Sequence, residues 1–336
     1  MNNHFKNAEI IDQFEFLEQH YNNNYSLHNG KTGLCLAYYL AGASFKNKNF
    51  TIKGTVLLTE IGENIDKIQG FNFANGLAGI GWAIEWLIQN GFLIANSDDV
   101  LEDMDDELYK TVVYTTSQNV SLKDGTIGKG LYFYKRLTAC NPSALRYRNL
   151  CNQECLILLI DELHGSLLTP EKEIPYNTII NSSARIDELA ESLLFLSRAK
   201  TQKVNKETLT NVICAIRKFI NKYFLSAEFK NNEFYNSNLY LIYACYKTGV
   251  YLKDAGFKKL AQDTYASYLT NINGITDFSL YSEFIIKKLS KLTSKPPFLI
   301  KNLRDVHNEV SIFGLLKSLT IFPKSEKFTW EEGWGL

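Results

Sequence analysis

Proline is scarce in this 336-residue chain, with six in all, and no series of short alternating apolar runs between hairpin turns occurs. Those two absences argue against a sandwich or barrel of strands and for helices. Net charge is also missing, because 36 basic residues balance 36 acidic ones. The chain therefore lacks the positive field that attracts nucleic acid or an anionic membrane surface. No stretch reaches the roughly 18 apolar residues of a membrane span, and Met1 to Lys6 lacks the basic-then-apolar form of a secretory signal. A cytoplasmic location is expected, with no nucleic-acid partner and no membrane span. Six cysteines are present without the setting of a disulfide framework. Cys151 and Cys155 lie four apart; inert buried thiols are expected there in preference to a metal pair. The five histidines (His4, His20, His28, His164 and His307) form no metal-ligand spacing.

What the chain does have is one glycine-punctuated segment three times over. Asn29-Gly30-Lys31-Thr32-Gly33-Leu34-Cys35, Asn75-Gly76-Leu77-Ala78-Gly79-Ile80-Gly81 and Asp124-Gly125-Thr126-Ile127-Gly128-Lys129-Gly130 share their offsets, and each leads into an apolar stretch. Their first glycines are 46 and 49 residues apart. Such a period indicates helical hairpins stacked side by side, each unable to bury its apolar face alone. In the second copy Asn75 reads as an N-cap. Leu77, Ile80, Ile84, Leu87 and Ile88 form one apolar face, and Ala78, Trp82 and Trp86 form another. A helix apolar on two faces is an inner helix. The stretch from Ser97 to Leu108 contrasts with it, having seven carboxylates and a narrow apolar stripe, and reads as an outer helix with a solvated acidic face.

After residue 140 the glycines fade but the rhythm continues. Polar caps at Asn181-Ser182-Ser183, Asn236-Ser237-Asn238, Thr276 to Ser279 and His307-Asn308 each precede an apolar helix. Amphipathic stretches such as Lys206 to Phe224 and Gly256 to Leu269 fit outer helices. Seven inner-helix starts result. The expected fold is all-α, an α/α toroid of six to seven helical hairpins in inner and outer rings, with residues 1–336 forming a single domain. Gly79 and Gly128 should be buried at helix–helix contacts.

Phe73 to Trp82, with its Asn-Gly-Leu-Ala-Gly-Ile-Gly core, resembles the lanthionine synthetase C-like family of lanthipeptide cyclases. The segments around Gly30 and Gly125 and the C-terminal Trp330-Glu331-Glu332 support the resemblance, which is good over residues 25–140 and rests on rhythm thereafter. It implies a toroid with inner-helix N-termini gathered near a central cavity, where catalytic members hold zinc and add a peptide cysteine to a dehydrated Ser or Thr. Their zinc ligands are a cysteine before one late hairpin and a Cys-His pair before the next. Zinc serves there to lower a thiol pKa and supply a thiolate at neutral pH. In this chain the matching positions hold Tyr235, Asp277 and Phe278, and no Cys-His dipeptide exists. The resemblance therefore implies the fold and withholds the zinc: no cofactor is expected.

The candidate lining of the cavity is the set of groups beside the caps, His28, Asn29, Asn75, Asp124, Tyr235, Asn236, Asp277 and His307, together with Glu85, the lone acid of a long apolar helix. The catalytic residues are unassigned. Glu85 must be paired or face water. The favoured reading is a zinc-less pseudoenzyme, a peptide-binding or partner module in the modification of a ribosomal peptide, with a peptide substrate or a peptide-modifying enzyme as partner. Two alternatives are a glycoside-processing enzyme on the same architecture, drawing on Asp124, Asp277, Glu85 and Trp82, and a cyclase with a non-standard metal site.

Overall fold

The computed structural model describes residues 2–141, 145–231, 233–272, 275, 277–291, 310–320, 322 and 327–336, with side chains from Glu9 onward. Among the described residues every regular element is helical: α1 (Asn2–His20), α2 (Lys31–Phe45), α3 (Lys48–Glu63), α4 (Leu77–Gln89), α5 (Ser97–Val100), α6 (Glu102–Tyr114), α7 (Thr126–Leu137), α8 (Arg146–Leu167), α9 (Tyr176–Ile180), α10 (Ser183–Thr201), α11 (Lys206–Tyr223), α12 (Ala227–Lys230), α13 (Tyr235–Tyr251), α14 (Ala255–Asn271), α15 (Leu280–Ser290) and α16 (Ile312–Leu319). A short 3-10 turn at Trp330–Trp334 follows.

The chain forms two compact units. The first comprises Met1–Thr116, Leu122–Cys155 and Glu309–Leu336; the second comprises Ser117–Ser121 and Leu156–Asn308. In the first, α2, α4 and α7 are buried over most of their length. By contrast α3 buries only Gly54 and Ile61, and α6 only Asp105, Leu108 and Val112. α2 packs on α3 and α16, and α4 packs on α7. The two-faced reading of α4 holds, with Trp82 and Trp86 fully buried. In the second unit the apolar α10 and α13 pack together, and α13 also packs on α14 and α15. Among the described elements the expected seven inner-helix starts match α2, α4, α7, α10, α13, α15 and α16, while residues 292–309, with the candidate His307, lie outside the described residues.

The three glycine segments are alike in three dimensions. Each helix takes the first glycine as its extended N-cap, at Gly30, Gly76 and Gly125. Asn75 is therefore not the cap: it is exposed, and Asn72 Oδ1 accepts from its backbone N–H at 2.8 Å. The second glycine explains the spacing. A Cβ on Gly33, Gly79 or Gly128 would meet the carbonyl oxygen six residues earlier, on Leu27, Phe73 or Leu122, at 2.2, 1.8 and 2.2 Å. Gly79 and Gly128 are buried as expected. The tightest neighbour, however, is the loop entering their own helix, with Leu27 and Phe73 side chains beyond it. Cys35, at the offset of Gly81 and Gly130, is a buried packing residue whose thiol donates to the Gly54 carbonyl at 3.3 Å.

Other starts differ in detail. α10 begins after Ser182 and α15 after Ser279, whose hydroxyl accepts from the Ser282 N–H at 3.1 Å. α13 starts at Tyr235, so Asn236, Ser237 and Asn238 lie within its first turn and not before it. The acidic stretch is split: Asn96 caps α5, and α6 begins only after Leu101.

Candidate functional site

In the first unit the loops before the three buried helices are tied in sequence. The N–H groups of Leu27 and His28 both donate to the Ala74 carbonyl at 3.1 Å, and those of Phe73 and Ala74 donate to the Lys123 carbonyl at 3.0 and 2.9 Å. His28, Asn29, Asn75 and Asp124 are carried by these linked loops. Asn29, Asn75 and Asp124 expose their side chains, whereas His28 is buried. Its Nε2–H donates to the Gly333 carbonyl at 2.8 Å, and its ring stacks on Trp334 at 5.4 Å. Burial lowers its pKa to about 4; the Lys123 charge adds to the shift and the Gly333 hydrogen bond opposes it. The residue is a neutral anchor for the Trp330–Trp334 turn, where a Cβ on Gly333 would touch Trp82 at 2.5 Å.

In the second unit the loops before α13 and α15 bring together Tyr235, Asn236, Asp277 and Phe278. The Tyr235 hydroxyl donates to the Asp277 carbonyl, and its ring meets Phe278 edge-on at 5.4 Å. Asn236 Oδ1 accepts from the Ser279 N–H at 3.3 Å. The Asp277 side chain is exposed and Phe278 is buried.

Glu85 does not border a cavity. It has no accessible surface, and its carboxylate is paired with Arg136 Nη1 while accepting from Ser97 Oγ at 3.0 Å and Gln89 Nε2 at 2.7 Å. Arg136 also donates to Asp98 Oδ1 at 2.9 Å and to Asp105 Oδ2 at 2.7 Å. Asp105 Oδ1 accepts from the Tyr132 hydroxyl at 2.5 Å. Burial by itself would lower the Arg136 pKa; the Asp105 hydrogen bonds and the surrounding negative charges outweigh it, and the guanidinium is held charged. So two acids of the supposed solvated face, Asp98 and Asp105, are buried against a cation that sequence reasoning missed. A signal existed: Asp105 continues the spacing of Leu101, Leu108 and Val112, the apolar stripe itself. The second unit has a neutral counterpart, in which Tyr223 donates to Asn238 Oδ1 at 2.8 Å and Asn238 Nδ2 donates to Tyr268 at 3.1 Å.

No protein-family model matches the chain, and no curated protein matches it in sequence. Among solved structures it is similar to nisin cyclase, with a TM-score of 0.68, 15% identity, and 98% of this chain and 97% of that one covered. The fold is an α/α toroid. At that identity the likeness speaks for the fold and not for the site, whose chemistry has to come from the residues present. The zinc site that the sequence resemblance implies needs thiolate or imidazole donors with a position left open. The Tyr235 phenol is spent on the Asp277 carbonyl, the Phe278 ring has no lone pair in reach of a metal, and Asp277 alone completes no site. Among the described residues no group of three His, Cys, Asp or Glu side chains is placed to hold a metal ion. The residues at these positions do not fit zinc. Nor can Glu85 act in a pair of glycosidase carboxylates, since Arg136, Ser97 and Gln89 already engage it.

Proposed function

We propose that this chain, taken as one domain over residues 1–336, is a lanthionine synthetase C-like pseudoenzyme: a peptide-binding or partner module in the modification of a ribosomal peptide. Zinc-dependent thioether formation is absent from this reading. The observation that carries it is the packing of Tyr235 on Asp277 and Phe278, which fills with an aromatic contact the positions where the family resemblance implies thiolate and imidazole ligands. The fold likeness to nisin cyclase, a protein named for acting on a peptide, supports a peptide as the bound species. Exposed polar groups on the helix-entry loops, Asn29, Asn75, Asp124 and Asp277, are the candidate contacts, and helix N-termini favour acceptor groups of a ligand. The cytoplasm, where a ribosomal peptide is made, is the proposed setting.

The test is zinc analysis of the purified protein together with incubation with a dehydrated precursor peptide. The expected result is well under one equivalent of zinc and no thioether above the uncatalysed rate, with the peptide still crosslinking to the helix-entry loops. Stoichiometric zinc, with cyclisation lost on chelation, would restore the catalytic reading with a non-standard metal site.

A further inference from the structure

The first unit carries an uncovered apolar shelf beside an acidic ridge, away from the helix-entry loops. Arg148, in the first turn of α8, ties that helix to α6 by pairing with Glu102 at 2.5 Å and with Asp106 at 3.5 Å. Tyr109 of α6 donates to Glu154 of α8 at 3.1 Å. The seam between the two helices opens into a pocket of about 40 Å³ whose lining includes Asp106 and Tyr109 of α6, Tyr147, Arg148 and Cys151 of α8, and Phe133 of α7. The pocket is small and has room for the tip of a side chain. Beside it the large side chains Tyr147 and Leu150 are 76% and 56% exposed, one turn apart on α8, and Val100 is 52% exposed at the end of α5.

Charge states what would cover this shelf. From Asp98 to Glu107 the chain has seven carboxylates and no basic residue. Arg136 answers Asp98 and Asp105 from beneath, Arg148 is shared among Glu102, Asp105 and Asp106, and Lys110 pairs with Glu107. Seven carboxylates thus meet three cations, and Asp99 and Asp103 lie exposed on the ridge. A protein surface that combines bare aromatic and aliphatic side chains with excess negative charge complements an amphipathic segment whose polar residues are basic. The exposed ring of Tyr147 and the half-buried ring of Tyr109 also suit a cationic tip.

We propose that the α6–α8 face docks a basic, amphipathic segment of another polypeptide. Leucine-type side chains would lie on Tyr147 and Leu150, and lysine or arginine side chains would reach the exposed Asp99, Asp103 and Asp106. This surface is separate from the helix-entry loops, so its failure leaves the peptide-binding reading intact.

The probe is a fluorescein-labelled 16-residue peptide built from Leu-Lys-Lys-Leu units, with its Leu-Glu-Glu-Leu counterpart as control. Anisotropy is read at 150 mM salt. Saturable binding of the lysine peptide and none of the glutamate peptide is expected. Asp103→Lys, and separately Tyr147→Ser with Leu150→Ser, should each weaken binding at least tenfold. Glu63→Lys, on the exposed side of α3, should change it less than twofold. All four substituted positions are exposed, and thermal melts check that the variants fold. Equal affinity across the variants, or no saturation below millimolar protein, would overturn the proposal. Dimerisation in light scattering that Tyr147→Ser abolishes would overturn it too, by assigning the face to a second copy of the chain.

Discussion

The loops before α2, α4 and α7 join through backbone groups, whereas those before α13 and α15 join through side chains. In the first unit Leu27, His28, Phe73 and Ala74 donate N–H groups to carbonyls of the next loop, and Gly33, Gly79 and Gly128 let each helix close against its own entry. In the second unit a tyrosine hydroxyl and an asparagine amide span the corresponding gap. Among the buried polar groups, the first unit gathers three carboxylates around Arg136, and the second, besides its buried Arg198, has the neutral chain Tyr223, Asn238 and Tyr268. A backbone tie constrains sequence only where a Cβ would intrude, so it leaves a glycine signature, with the flanking Asn29, Asn75 and Asp124 exposed. A side-chain tie makes the reverse demand, fixing the identity of Tyr235 and Asn236 and leaving glycine unneeded.

The largest effect that would separate the two units is Arg136→Met. It strands Glu85, Asp98 and Asp105 without their shared cation, a loss of about 3–5 kcal/mol in the manner of a broken buried ion pair. Denaturant unfolding monitored by hydrogen exchange should show lost protection in α4 and α7, with α10 and α13 little changed; equal loss in both would dissolve the distinction. Next comes Gly79→Leu, set against Ser282→Ala, each three residues after its cap. The first should cost roughly 1–3 kcal/mol or more, since its Cβ would run into the Phe73 carbonyl, which is backbone and cannot swing aside. The second should cost under about 1 kcal/mol. Matching values would mean that the glycine spacing has no steric basis.

Acid should act on the first unit through His28. Its folded pKa, about 4, lies below the ordinary 6.5, so the unfolded chain binds the proton more readily and stability falls as pH drops from 6.5 towards 4. Between pH 7 and pH 5 that amounts to about 2 kcal/mol. Urea melts at the two pH values, with His28→Gln flattening the difference, are the check; an unchanged slope in that variant would assign the acid sensitivity elsewhere. A smaller effect than that of His28 is expected of Ser279→Ala, about 1 kcal/mol from the loss of the α15 cap, with no matching residue to remove at Gly76.

Much of the fold was legible because glycine spacing and helical periodicity are local signals. The three repeats, the buried α4 and the alternation with amphipathic helices all follow from residues within one hairpin. The site was less so. Arg136 meets Glu85, Asp98 and Asp105 across 51, 38 and 31 residues, and an acid cluster read locally looks solvated. Asn75 reads as a cap because Asn is a good one, yet the close approach at Gly79 leaves Gly76 to start the helix. The juxtaposition of Tyr235 with Asp277 and Phe278 followed the family register, but the bond that uses up the phenol belongs to tertiary structure.

The packing of α16 on α2 has a consequence for how the protein is made. Ile312 lies against Gly33, with its Cγ2 2.8 Å from where a Cβ would be, and Gly333 and Trp334 seat on Trp82 and His28. A ribosome delivers α2 first and its cover last, with the whole second unit translated in between. At typical elongation rates of roughly 5–20 residues per second, the apolar flank of α2 waits on the order of 10 to 60 seconds for α16. The second unit, drawn from 156–308 apart from the short segment Ser117–Ser121, needs no such wait. Transcripts cut short before codon 312 should therefore yield chains that depend on chaperones or are degraded, even though most of the toroid has been synthesised.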